Sequence, residues 1–244
     1  MSATNAQSDE FVVLHGVPWD VYTKLTDALG ECHLRHSYDH GTLEMRAVLY
    51  GLEWKAYERF LEALGDYSVR HTYWQGTLEM MTPLKRHDRM KTLIARMIGA
   101  LSLELRLPIQ GIGSTTLTAE EDDCGVEPDE AYYIANERAV REHEDYDPQR
   151  DPPPDLVVEI DVTRSSSKRM PAYAAMKVPE IWRHSNGAIT FLGRHDAEYL
   201  PIPFSLSFPK LSSQVINDLL QKRGQIDDTS IVLEFQDWVR ANMK

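Results

Sequence analysis

The sequence predicts a mixed α/β fold (α+β-like) that carries a duplicated helix–hairpin unit near its N-terminus. Three observations support this. Strand-spaced and helix-spaced apolar residues occur along the same chain without regular βαβ alternation, which disfavours a doubly wound dinucleotide fold. A gapless internal repeat with a period of about 35 residues links Val13–Arg46 to Val48–Met81. The chain has 244 residues, 42% of them hydrophobic, and at that size a domain buries about 70–75% of its extended surface.

Residues 1–12 form a polar, acid-tipped leader without the basic-then-apolar order of a signal peptide. The repeat follows, identical at about half its positions. Its landmarks are Gly16 and Gly51, Trp19 and Trp54, Tyr22 and Tyr57, and Ala28-Leu29-Gly30 and Ala63-Leu64-Gly65. They continue through Arg35-His36 and Arg70-His71 to two Gly-Thr-Leu-Glu-Met strings, Gly41–Met45 and Gly76–Met80. In each copy Trp, Tyr and Leu or Phe recur three or four apart and a Gly closes the run, the pattern of a short amphipathic helix. Arg70–Trp74 and Thr77–Met81 then alternate in polarity around Gln75-Gly76, a hairpin. Two copies are too few for a solenoid. They read as an added helix and hairpin at a sheet edge, or as an arm for a partner or for a second copy in a homodimer.

After Pro83, Met90, Leu93, Ile94, Met97, Ile98, Leu101 and Leu105 share one helical face up to Pro108; the methionines there read as core packing. Short strands are expected at Ile109–Gly111 and Thr115–Thr118, then an acidic turn at Glu120–Gly125 and a strand at Asp129–Ile134. Asn136–Pro154 is charged and closed by prolines, a solvated excursion. In the strand Asp155–Val162, Leu156, Val158, Ile160 and Val162 share one face and Asp155, Val157, Glu159 and Asp161 the other. Ser165-Ser166-Ser167 with Pro171 marks a helix start running on through Tyr173–Met176. Strands near Glu180–His184, Ala188–Leu192 and Glu198–Ile202 precede helices at about Leu211–Lys222 and Thr229–Met243.

Lys+Arg number 26 against Asp+Glu 38, a net charge of −12. Such a chain does not coat nucleic acid non-specifically, since phosphate contacts draw on Lys and Arg; touching DNA requires a local basic patch or metal ions. Cys32 and Cys124 are far apart and match neither a disulfide framework nor a zinc spacing. No apolar run reaches the roughly 20 residues of a membrane span, so no membrane partner and a cytoplasmic location are expected. Phosphate-cradling glycine loops, nucleophile elbows and His-Glu-x-x-His sites are absent. What remains is Pro128-Asp129 opening one strand and Glu159-Ile160-Asp161 within another. Hard carboxylates on neighbouring strands suit Mg²⁺ or Mn²⁺, which lowers the pKa of its water and neutralises phosphodiester charge. Spacing alone leaves a purely structural role equally open.

Five blocks then carry a resemblance. They are Gly76–Pro83 with His87, Gly113–Thr116, Gly125–Glu130, Pro153–Asp161 and Tyr173–Trp182. In this order, from about Leu49 to about Pro209, they resemble the Uma-type restriction endonuclease family of the PD-(D/E)XK nuclease superfamily. The resemblance implies a restriction-endonuclease-like mixed central sheet flanked by helices, with residues 48–210 as that domain, 13–47 as an added arm and 211–244 as C-terminal helices. It implies a metal-dependent nuclease acting on DNA, with Asp129 as the motif's first acid and Glu159 as its second. One position departs from the pattern: Asp161 stands where the superfamily has Lys. Some relatives supply the cation from the next helix, and the matching residue is Arg169. The expected site is thus Asp129, Glu159 and Asp161 as metal ligands, with Arg169 stabilising phosphate charge. A salt bridge from Arg169 to Glu159 or Asp161 is the simpler alternative. Lys85, Arg86, Arg89, Lys91, Lys168 and Arg169 are candidates for a basic rim. The rival function is an inactive nuclease scaffold serving interaction or dimerisation.

Overall fold

The structure, a computed structural model, describes residues 11–30, 36–40, 42–46, 48–65, 69–81, 85–161 and 166–243. The chain divides into two compact units, one from residues up to 83 with 119–126, the other from 84–118 with 127–244. The elements of the first repeat copy are β1 (Phe11–His15), α1 (Trp19–Leu29), β2 (His36–Asp39) and β3 (Thr42–Arg46). The second has β4 (Val48–Tyr50), α2 (Trp54–Leu64), β5 (Arg70–Trp74) and β6 (Thr77–Met81). Then come α3 (Lys85–Leu105), β7 (Gln110–Gly111), β8 (Leu117–Ala119), β9 (Cys124–Val126), β10 (Glu130–Tyr133), α4 (Glu137–Val140) and β11 (Leu156–Ile160). The chain ends with α5 (Met170–Ala175), β12 (Glu180–Ser185), β13 (Ala188–His195), β14 (Glu198–Pro201), α6 (Ser213–Leu220) and α7 (Asp228–Asn242).

In the first unit each copy adds a leading strand to the helix and hairpin read from the sequence. Val12 and Leu14 are buried while Val13 and His15 are exposed, a strand too short to stand out by pattern alone. Gly30 and Gly65 end α1 and α2 at φ 55° and 51°, a left-handed backbone that other side chains resist. Helix α1 buries Leu25, Ala28 and Leu29, and α2 buries Tyr57, Phe60 and Leu64. These pack with Leu43 and Leu78 into one core drawn from both copies. Each buried Leu or Phe among them stabilises by about 1.5–3 kcal/mol through removal from water. The first copy's sheet has the order β1–β3–β2 and the second copy's β4–β6–β5–β9–β8.

The second unit is built on a six-stranded sheet of order β14–β13–β12–β11–β10–β7. Within it β11 and β12 run parallel, while β10 runs antiparallel to β11. Every residue of β11 is buried, as befits a central strand covered on both faces. Leu156, Val158 and Ile160 join Leu93, Ile94, Met97 and Ile98 of α3 and Phe235 of α7 in one core. Met97 serves as packing there, as the sequence predicts. Because side chains alternate along a strand, Val157 and Glu159 face the other way. Helix α7 starts on Asp227, whose carboxylate accepts from Thr229 N and Ser230 N at 2.9 and 3.0 Å. Among the described residues no helix is long and apolar enough to cross a membrane.

Candidate active site

Topology brings the motif acids together before any side-chain contact does. Asp129 directly precedes β10, and because β10 is antiparallel to β11 its start meets the C-terminal end of β11. The register pairs Glu130 with Val158 and Ala131 with Val157, so one further step sets Asp129 opposite Glu159. A 3-10 turn, Ser166–Arg169, and α5 follow β11 and carry Arg169 and Tyr173, four residues apart, back toward Glu159.

Glu159 is 1% exposed and Arg169 6%. Arg169 donates from NH1 to Glu159 Oε2 at 2.6 Å, and the Tyr173 hydroxyl donates to Oε1. Burial opposes the charge on Arg169, but Glu159, Tyr173 and Asp161 outweigh it and raise its pKa above the ordinary arginine value. Asp129, 1% exposed, accepts from Ile160 N through Oδ2 at 2.6 Å, which ties the first acid to the backbone of the second acid's strand. The structure thus brings Asp129 to the strand of Glu159 and Arg169 to its carboxylate, and the salt bridge from Arg169 to Glu159, the simpler alternative for Arg169, is present.

Asp161 faces different partners. Its Oδ2 accepts from Arg183 Nε at 2.9 Å and NH2 at 2.7 Å, and its Oδ1 accepts from Ser166 N at 2.8 Å. Arg183 and Ser166 are residues that sequence reasoning missed. Arg183 lies beside Glu159 only because β11 and β12 pair in parallel with Glu159 against Arg183 and Ile160 against His184. His184 is 7% exposed, and neither ring nitrogen has a hydrogen-bond partner among the described residues. Burial, and then Arg223, push its pKa below the usual 6.5, with Asp161 pulling the other way. Tyr173 was read only as part of a helix; its spacing of four from Arg169 is the signal that pairs them.

The donor chemistry can be tested against a divalent ion. Among the described residues no group of three His, Cys, Asp or Glu side chains converges at metal distance. Both oxygens of Asp161 are engaged by Arg183 and Ser166. Asp129 and Glu159 are buried carboxylates, and Mg²⁺ is held through one or two carboxylates with water and phosphate completing its shell. Glu159 is engaged in the same way as Asp161, through Oε2 by Arg169 and Oε1 by Tyr173, so Glu159 and Asp161 alike would have to release a partner to hold the ion. Of the expected basic rim, Arg89 is bound to Asp228 at 3.1 Å and Lys91 to Glu130 at 3.5 Å. The side chains of Lys85, Arg86 and Lys168 lie outside the described residues, as does Cys32. A groove of about 220 Å³ lined by Gln110, Tyr133, His143, Tyr146 and Asp151 contains none of Asp129, Glu159, Asp161 and Arg169.

The Uma2 family model, described as "Putative restriction endonuclease", matches residues 54–221. The chain belongs to this family. The Uma2 match runs from the start of α2 through α6, so it holds the whole acid cluster and leaves the first repeat copy outside. Among solved structures the chain is similar to "a putative nuclease belonging to DUF820 from Anabaena variabilis ATCC 29413". The two are 17% identical, with a TM-score of 0.49, over 67% of this chain and 97% of that one. No curated protein matches the chain.

Proposed function

We propose that this Uma2 protein is a Mg²⁺- or Mn²⁺-dependent endonuclease that hydrolyses DNA phosphodiester bonds in the cytoplasm. The observation that carries the reading is that the buried acids Asp129 and Glu159 stand at opposed register positions at the C-terminal end of β11, with Arg169 against Glu159. Asp129 and Glu159 would hold the ion, which when bound supplies positive charge at the phosphodiester and a more acidic water. Arg169 stays protonated, so it is no general base; its role is to hold a phosphate oxygen and stabilise charge as the bond breaks. Tyr173 fixes the rotamer of Glu159 through its hydroxyl. Asp161 orients Arg183 and the turn at Ser166, and it would have to release Arg183 before serving as an auxiliary ligand. The test is incubation of purified protein with supercoiled, linear and single-stranded DNA, with Mn²⁺ or with EDTA. Nicking by the parent that Asp129→Ala abolishes is expected. No cleavage above the Asp129→Ala control would sink the proposal.

A second reading is an inactive nuclease scaffold that serves interaction or dimerisation. Asp161 in place of Lys favours it, as do Glu159 and Asp161 each answered by an arginine. Thermal melting with added Mn²⁺ separates the readings, because an ion bound only by the native state raises the midpoint. A midpoint that does not move supports the scaffold.

A further inference from the structure

We propose that the first repeat copy is a docking site for an extended, acidic, glycine-centred segment of another protein, added as an antiparallel strand along β2. The second copy already shows such a complex inside this chain. Its Tyr57 and Tyr73 rings stack at 4.5 Å and 10°, with Trp54 at 5.4 Å from Tyr57 and the Tyr57 hydroxyl 3.1 Å from His71 Nε2. Tyr73 donates to Leu52 O at 3.0 Å. The first copy repeats this set residue for residue. Tyr22 and Tyr38 stack at 4.5 Å and 22°, Trp19 lies 5.0 Å from Tyr22, and the Tyr22 hydroxyl is 3.0 Å from His36 Nε2. Tyr38 donates to Val17 O at 2.8 Å.

The two copies differ in what covers them. In the second, β9 pairs along β5 with Thr72 against Val126, Tyr73 against Gly125 and Trp74 against Cys124. Asp123 accepts from the Tyr73 hydroxyl at 2.9 Å and, through its carbonyl, from Gln75 N at 3.0 Å. Gly125 lies so close to the ring of Tyr57 that a Cβ there would stand 2.3 Å from its hydroxyl oxygen. Tyr57 and Tyr73 are consequently 0% exposed. In the first copy β2 takes the place of β5, and among the described residues its sheet ends there. Trp19 is 64% exposed and Tyr22 and Tyr38 are half-buried.

Transferring the register names the occupant. Tyr38 would face a glycine that lies flat on Tyr22, an apolar residue would follow it opposite Ser37, and an Asp two residues before the glycine would share the Tyr38 hydroxyl hydrogen with Val17 O, as Asp123 shares that of Tyr73 with Leu52 O. Strand addition draws its affinity from main-chain hydrogen bonds and its selectivity from pockets for alternate side chains, and here the selective element is the absence of a side chain. A second copy of the chain fits badly, because the strand it would offer, His36–Asp39, has no glycine to set on Tyr22.

The probe is a synthetic peptide of residues 120–128 with Cys124→Ser, fluorescently labelled and titrated against the full chain, with ¹⁵N spectra recorded in parallel. Saturable binding is expected, with shifts confined to the first copy. It should weaken about tenfold or more on Gly125→Val in the peptide, and likewise on Trp19→Ala in the chain, since a well-packed aromatic contact is worth at least that factor. Trp19 is exposed, so its replacement leaves the fold in place, and the peptide variant leaves the chain untouched. Absence of saturation at millimolar peptide, indifference to both substitutions, or shifts at Tyr57 and Tyr73 showing that the peptide displaces β9, would each overturn the proposal. So would sedimentation as a dimer that Tyr38→Arg dissociates, because β2 would then belong to a second copy.

Discussion

Replacing Arg169 with methionine removes the cation from a carboxylate that is 1% exposed and held at 2.6 Å. The Tyr173 hydroxyl then remains as the described donor to Glu159. Breaking a buried pair by removing one partner costs about 3–5 kcal/mol, because a charge is left uncompensated in a poorly polarisable interior. For a chain of this size each kcal/mol moves the melting midpoint by about 2–4 °C, so Arg169→Met should melt about 6–20 °C below the parent. Glu159→Gln should cost a comparable amount by stranding the guanidinium. The double variant Glu159→Gln/Arg169→Met should fall within about 1 kcal/mol of the parent or exceed it, since a well-packed apolar and neutral pair replaces a buried ion pair at no net loss. The assay is urea unfolding followed by circular dichroism in EDTA, arranged as a double-mutant cycle. Repeating Arg169→Met with Mn²⁺ adds a second readout: an ion seated between Asp129 and Glu159 should restore most of the lost stability. Single variants that each cost under about 1 kcal/mol and add without coupling would refute the reasoning, for the pair would then not be held as described.

Gly125→Ala should destabilise by about 1–3 kcal/mol through overpacking, measured by thermal melting. Tyr57→Phe should relieve it only partly, because ring carbons of Tyr57 stand 2.6 and 2.7 Å from the new Cβ as well. His184 has a lowered pKa from burial and Arg223, so the unfolded chain takes up its proton first as pH falls through the usual 6.5. Its stabilising contribution is complete above that value and declines below it, by at most about 1.4 kcal/mol per pH unit, and His184→Phe should flatten the difference between stability curves at pH 7.5 and 5.5. Cys124 is buried and its thiol is pushed up to about 12 by burial and then by Asp122 and Asp123. In a Cys32→Ser background it should react with a thiol reagent at pH 8 only after denaturant is added; prompt native labelling would contradict the burial.

Much of the scaffold is legible because local signals decide it. The α2–hairpin unit of the second copy is fixed by helical spacing, a closing glycine and strict alternation around Gln75-Gly76, and its hairpin limits agree with the structure. The strand β9 is not legible. Cys124-Gly125-Val126 follows an acidic stretch and reads as its continuation, and it is a strand because β5 offers it an edge and Tyr57 a surface. The site divides in the same way. Asp129 and Glu159 stand out because a carboxylate in a buried apolar strand is costly and so must have a reason. Arg183 and His184 do not, since nothing in their neighbourhood of sequence states that β12 runs parallel to β11 and in which register.

The net charge of −12 argues against a nucleic-acid surface, yet the distribution of counter-charge inside the second unit shows where an acidic chain keeps its cations. Two buried carboxylates flank the other end of this strand pair, and both are satisfied by neutral donors. Asp155 accepts from Ile134 N, Asn136 N and Asn136 Nδ2 at 2.6, 2.9 and 2.8 Å, and Glu180 accepts from Trp182 Nε1 and Ser207 N, both at 2.8 Å. These two acids manage without arginine. At the C-terminal end of β11 the solution differs: Glu159 is paired with Arg169 and Asp161 with Arg183. A buried ion pair adds little to stability over apolar packing, so stability alone does not explain the Glu159–Arg169 pair. On the proposed reading Glu159 and Asp161 hold two guanidinium groups, charged at any working pH, where a phosphodiester would arrive. A divalent ion that takes over Glu159 would leave Arg169 seeking another anion, and a phosphate oxygen can accept from it in the same forked geometry. The basic patch that an acidic nuclease requires would then be stored as internal counter-ions rather than displayed on the surface.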